Sequence, residues 1–162
     1  MTSSRVLRIA SGFLFASLFS AGVAADEGPQ SLDLAAYHGK VVVVDFWASW
    51  CAPCRSSFPW LESMQRKYGD DGLVVIGINE DNATEDAEAF LQAFPVTFRI
   101  VVDHDGALAR EFDLAAMPSS YVIDRDGALA VRHLGFKIAK QDEYEAALRR
   151  LIAPEPTAIE GH

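Results

Sequence analysis

Four consecutive valines, Val41 to Val44, lead into Asp45-Phe46-Trp47 and then, after Ala48-Ser49-Trp50, into Cys51-Ala52-Pro53-Cys54. No other feature of the chain constrains its fold as strongly. A β-branched run with no polar alternation before Asp45 reads as a strand buried on both faces, and such strands occur in sheets covered by helices on each side. The pair that follows is the chain's whole cysteine content. Two cysteines make neither a multi-bridge scaffold nor a four-cysteine zinc site.

The remaining pattern fits the same layered architecture. Residues 51–67 read as a helix, with Phe58, Leu61, Met64 and Gln65 at helical spacing and Tyr68-Gly69-Asp70-Asp71-Gly72 as its stop. Residues 73–78 form a second apolar strand. Residues 84–94 read as a helix with Thr84 as its N-cap. A third strand covers 98–102, Asp103-His104-Asp105-Gly106 makes a turn, and a short helix covers 107–112. Strands at 119–123 and 129–134 flank Asp124-Arg125-Asp126-Gly127, a hairpin signal. A last helix spans 140–152. Early strand–helix alternation predicts parallel pairing, and the late hairpin adds an antiparallel edge. The expectation is an α/β fold with a mixed four- to five-stranded sheet and helices on both faces.

The first segment stands apart. Arg5 and Arg8 precede an uncharged stretch containing Phe13, Leu14, Phe15, Leu18 and Phe19, which ends in Gly22-Val23-Ala24-Ala25 before Asp26-Glu27. A basic start, an apolar middle and small residues before a polar break describe a secretory signal peptide. Cleavage is placed after Ala25, with the position after Ala24 as the near alternative. An uncleaved membrane anchor is the other reading, since the run is at the short limit for a span. The expected organisation is a signal at 1–25, one domain at 26–153 and a loose tail at 154–162. Export places the chain where disulfides persist, in the periplasm. Lys and Arg number 14 against 23 acids, for a net charge of −9 in 162 residues. That argues against nucleic acid as a partner.

Cys51-Ala52-Pro53-Cys54 opens a helix directly after a buried strand, and this context makes it a redox centre. Two intervening residues put both sulfurs on one side of the first turn, close enough to bond. The free N–H groups and partial positive charge of a helix N-terminus favour a thiolate at Cys51. Pro53 costs no hydrogen bond in that turn. A purely structural bridge is the competing reading, but closing so short a loop constrains the unfolded chain little. A metal site needs more ligands, and His38, His104, His133 and His162 show no ligand spacing. No metal and no cofactor are expected.

Val43 to Arg55 resembles the active-site segment of thioredoxins. The wider pattern is similar to the secreted TlpA/ResA branch, with Gly39-Lys40 before the strand, Phe58-Pro59 after the cysteines, and Met117-Pro118-Ser119-Ser120-Tyr121-Val122-Ile123-Asp124 later. The likeness runs from about Ser31 to Ile152. It implies a thioredoxin-like three-layer sandwich. It makes Cys51 the exposed nucleophile and Cys54 the resolving thiol. Pro118 becomes a cis-proline packed against the pair, and Met117 borders the disulfide, where relatives carry Ile, Val or Thr. Asp45 becomes a buried proton acceptor for Cys54, its pKa raised by burial. Glu80 matches an acid that tunes the cysteines, although the adjacent Asp81 leaves a solvated acidic turn as an equal reading. Trp50 becomes a rim residue of the site and Trp47 a packing residue.

The implied function is a thiol–disulfide oxidoreductase of the bacterial cell envelope. It would reduce disulfide-bearing substrate proteins, for example in cytochrome c maturation or copper-site assembly. A membrane electron donor would re-reduce it, and it would act as a monomer. A disulfide oxidant and a non-enzymatic copper-handling dithiol protein are the alternatives.

Overall fold

A computed structural model describes residues 32–153. The proposed signal peptide at 1–25 and the tail at 154–162 lie outside the described residues. A 3-10 helix, Leu34–Tyr37, comes first. It is followed by β1 (Val41–Trp47), α1 (Cys54–Tyr68), β2 (Leu73–Asn79), α2 (Thr84–Ala93), β3 (Arg99–Val102) and α3 (Ala107–Glu111). Then come β4 (Ser119–Ile123), β5 (Leu129–Leu134), a second 3-10 turn (Ile138–Lys140) and α4 (Gln141–Ile152). The Asp33 side chain accepts from Ala35 N and starts the first 3-10 turn.

The sheet has five strands in the order β3-β2-β1-β4-β5. Strand β1 pairs parallel with β2, and β2 with β3, whereas β4 runs antiparallel to both β1 and β5. The late hairpin therefore returns to lie against β1 instead of extending the sheet past β3. This makes β1 the centre, and all seven of its residues are buried. Its side chains alternate between two cores. Val41, Val43 and Trp47 pack with α1, α2 and α4 through Phe58, Leu61, Phe90 and Leu148. Val42, Val44 and Phe46 pack on the other face with Leu108 of α3, Tyr121 and Leu32. The fold is the expected three-layer α/β sandwich of thioredoxin type.

Trp47 is fully buried, with its ring 4.6 Å from Phe58 and 4.8 Å from Phe90. Its register partner on β2 is Asn79, and Gly77, two residues earlier on the same face, leaves the space the indole needs. A Cβ at Gly77 would stand 2.9 Å from Ile100 Cδ1 and 3.1 Å from Trp47 Nε1. Gly77→Ala is therefore expected to destabilise the fold by about 1–3 kcal/mol through overpacking, read as a lower urea midpoint with unchanged slope.

Helix α1 starts at Cys54, three residues later than the pattern predicts, and Pro53 is its N-cap instead of lying inside the first turn. Pro59 sits within α1 without breaking it. Its missing N–H frees the Arg55 carbonyl, and both residues are exposed, so water can satisfy that group. Thr84 is not the N-cap of α2. It is the first helical residue, Ala83 occupies the cap without a side-chain bond, and Thr84 Oγ1 faces His104 Nε2 at 3.4 Å.

Candidate active site

Three parallel strands end on the same edge of the sheet, where Trp47, Asn79 and Val102 stand side by side. The pairing continues past the strands, since Glu80 N donates to Trp47 O at 2.9 Å and Asp103 N to Asn79 O at 2.9 Å. Strand β4 is antiparallel, so its start, with Ser119 opposite Phe46, reaches this edge too. The turn before α1, the turns after β2 and β3, and the loop ending at Pro118 are thereby gathered at one end of the sheet. In α/β folds, ligands bind in the crevice outside the carboxyl ends of the strands.

At this edge Cys51 and Cys54 form a disulfide, with Cα atoms 5.4 Å apart. Cys54 is the first residue of α1 and is fully buried, whereas Cys51 retains 4% exposure. Cys51 is therefore not exposed in the disulfide form, contrary to the expectation, and differs only slightly from Cys54. In the closed disulfide the Cys51 sulfur is bonded to a buried one and is drawn toward the core. Exposure is concentrated in its neighbours, with Ala52 and Pro53 exposed and Trp50 at 67%. The Met117–Pro118 bond is cis. Pro118 is buried, and Met117 packs against both cores, including the one that contains the two cysteines.

Asp45 lies on the same sheet face as Val43 and Trp47, toward α1, and has no exposed surface. Ser120 Oγ donates to its Oδ1 at 2.6 Å, and Oδ2 has no partner. Loss of water pushes its pKa from 3.8 up to about 7, and the Ser120 hydrogen bond pulls weakly the other way. A carboxyl with one free oxygen, poised near neutrality, can take up and return a proton at working pH.

Glu80 is only partly buried, yet its carboxyl is pushed to about 7. Burial is the main cause, followed by the charge of Asp103 and a hydrogen bond with it. Asp103 spends its own oxygens on the start of α3, accepting from Leu108 N at 3.1 Å and Ala109 N at 2.8 Å. Glu80 thus faces an acid already engaged elsewhere.

Asp81 is the residue whose role the sequence conceals. A solvated acidic turn was one reading of it, but it is 1% exposed. It accepts from Ser49 N and Ser49 Oγ and from Asn79 Nδ2, at 2.8–3.1 Å. It ties the turn that carries Cys51 to the end of β2. Nothing in an Asn-Glu-Asp triplet signals this. Asp81→Ala would orphan several buried donors, and a loss of about 2–4 kcal/mol is expected by chemical denaturation, with the cysteine turn loosened. Ser120 carries no site signal of its own in the sequence. Its place follows from period-2 alternation in β4, which sets it opposite Asp45.

Comparison with known proteins bears on this geometry. The Redoxin family model matches residues 16–148. A thioredoxin-like protein of Bacillus subtilis, YneN, is 32% identical over 68% of this chain, and the match spans 65% of that relative's own length. Thiol-disulfide oxidoreductase ResA of Bacillus cereus is 26% identical over 75% of this chain and 71% of its own. Among solved structures, a Chlorobium tepidum protein described as a thiol:disulfide interchange protein DsbE is 40% identical. It superposes with a TM-score of 0.72 over 74% of this chain and 85% of that one. StoA of Bacillus subtilis is 26% identical, with a TM-score of 0.58 over 67% of this chain and 84% of its own.

Proposed function

The chain belongs to the Redoxin family, in which its relatives are named thiol–disulfide oxidoreductases, and we propose that it works as one in the reducing direction, on disulfides of other proteins. The observation that carries this reading is the Cys51–Cys54 disulfide at the start of α1, with the buried acid Asp45 on the sheet face beneath that helix.

In the dithiol form, Cys51 attacks a substrate disulfide as a thiolate, and the released substrate sulfur leaves with the electron pair. Cys54 then gives its proton to the Asp45 carboxylate and attacks the Cys51 sulfur. The Cys51–Cys54 bond forms, the Cys51–substrate bond breaks, and the second substrate thiolate leaves. The substrate is reduced by two electrons and the enzyme is oxidised by two. Pro53 caps α1 at the pair, exposed Trp50 forms the rim, and Met117 with Pro118 shapes the docking surface. Glu80 adjusts the cysteines from the neighbouring turn.

On this reading the protein works as a monomer in the bacterial cell envelope, exported by the segment ending at Ala25. It is re-reduced there by a membrane electron donor, and cytochrome c maturation or copper-site assembly would use such a reductant. Among the described residues no helix is long and apolar enough to cross a membrane.

The test is insulin reduction by catalytic amounts of protein with dithiothreitol as electron source. No acceleration over dithiothreitol alone would overturn the reading. A potential measured toward about −270 mV supports the reductase, whereas one near about −120 mV selects an oxidant. The resolution step needs ionised Asp45. Its rate should therefore rise with pH through about 7. Asp45→Asn should flatten that rise and slow the step by about a hundredfold at neutral pH, read by quenched-flow trapping of the mixed disulfide.

A further inference from the structure

Asp45, Ser120 and His133 stand in register across β1, β4 and β5. Residues directly opposite one another share a sheet face, so the three polar side chains form a row across the strands. The first link is made, since Ser120 Oγ reaches Asp45 Oδ1 at 2.6 Å. Beyond Ser120 lies a cavity of about 10 Å³, lined by both Ser120 and His133, with Gly135, Phe136 and Tyr144 around it. That is close to the space one water molecule needs, and it has polar groups on two sides. His133 and the Tyr144 ring, 4.5 Å away, also line an open surface groove. Of the two, imidazole is the side chain that takes and gives protons near neutral pH.

We propose that Ser120 and His133 carry the Asp45 proton between the buried carboxyl and solvent. Ser120 Oγ donates to Oδ1 when the carboxyl is ionised. For release the carboxyl proton sits on Oδ1 and the hydroxyl turns toward the cavity, so that Oδ1 passes its proton to Ser120 Oγ as the hydroxyl gives up its own to a water there. That water hands a proton to one His133 nitrogen, and the other nitrogen releases one into the groove. The net change is ionisation of Asp45 and a proton in solvent; the reverse order reloads it. Ser120 and His133 touch no substrate and act only through Asp45. The inference gives the proposed proton acceptor its exit, and so rests on that reading for its purpose, although its test does not.

The charges around the row lie at its His133 end. Asp45 has Gly77 opposite it on β2 and Ser120 opposite it on β4, neither of which titrates. The groove that His133 lines is also lined by Tyr144, Glu143 and Arg150 of α4, by Lys140 and Lys137 from the preceding turn, and by Arg132 of β5, whose guanidinium lies over the Tyr121 ring. Burial and then Lys140 hold the pKa of His133 below the usual imidazole value, so it relays as a neutral base and is not a standing cation.

The experiment follows the infrared carboxyl band of Asp45 in the oxidised protein after a rapid pH jump from below to above its midpoint of about 7. Asp45→Asn identifies the band. His133→Ala should slow proton loss about tenfold without moving the midpoint, because a relay changes rate and not equilibrium. Added imidazole should restore the rate. Ser120→Ala should slow it as well and raise the midpoint, since its hydrogen bond favours the ionised form. Wild-type rates in both variants would overturn the relay, as would a His133→Ala effect that imidazole leaves unchanged. No substrate is involved, so the two readings fail separately. A protein that shows the relay but does not reduce insulin sinks the functional reading alone. One that reduces insulin but keeps wild-type proton rates in both variants sinks the relay alone.

Discussion

Cys54→Ala should bring catalytic insulin reduction down to the uncatalysed background while leaving Cys51 able to attack. The variant keeps the nucleophile but lacks the group that resolves the mixed disulfide, so substrate should accumulate as a covalent adduct on Cys51. Mass spectrometry of the adducts formed in the cell envelope would then name the physiological substrate. Cys51→Ser should lose activity equally and form no adduct. The folding cost is small, because closing so short a loop contributes only about 2 kcal/mol by the chain-entropy account. An active Cys54→Ala protein, or one that traps nothing, would refute the assignment of the two sulfurs.

The second large effect is on stability. Burial raises Asp45 from 3.8 to about 7. Between those values the folded protein holds a proton that the unfolded chain has released. Asp45 therefore costs nothing below about pH 4, and its penalty grows as pH climbs toward 7. Above 7 both states are ionised and the penalty is complete, at about 4 kcal/mol for a shift of about three units. Asp45→Asn carries no such penalty. Its stability relative to wild type should rise by that amount between acidic and mildly alkaline solution, whatever constant packing difference the amide introduces. Glu80 is also raised to about 7 and contributes in the same direction, but it is present in both proteins and cancels in the difference. Urea melts across the pH range give the slope directly. Parallel curves for the two proteins would mean that Asp45 is not desolvated in solution.

A strongly raised carboxyl in the centre of a sheet costs stability that a valine would not. The proposed proton transfer gives that carboxyl a use, and this joins the two expectations. The residue that destabilises the fold at alkaline pH is the one proposed to take the Cys54 proton. Its ionisation sets both pH profiles: the rate should be half-maximal, and the stability penalty should level off, near the same pH of about 7.

Much of the fold was legible because its signals are local. Val41 to Val44 announced a strand covered on both faces, and the structure buries every residue of β1. The hairpin at Asp124 to Gly127 was read from turn chemistry. What the pattern missed depends on partners distant in sequence. Thr84 has the right chemistry for an N-cap, but the chain enters α2 one residue earlier, at Ala83. Asp81 looks solvated in a run of four polar residues, Asn79 to Asn82, and it is buried because the turn at Ser49, 32 residues away, folds over it. The row of Asp45, Ser120 and His133 has no periodicity along the chain at all. It exists only once β4 and β5 are laid beside β1.

By itself the sequence determined the chemistry and the layer plan. A single cysteine pair after a doubly buried strand and before a helix specifies a disulfide there, because the spacing and the turn are properties of a few adjacent residues. Only the tertiary structure decided the strand order, the inward turn of Cys51 and the raised pKa of Asp45. Those depend on which residues the rest of the chain brings against β1, and desolvation is a property of the surroundings and not of the residue.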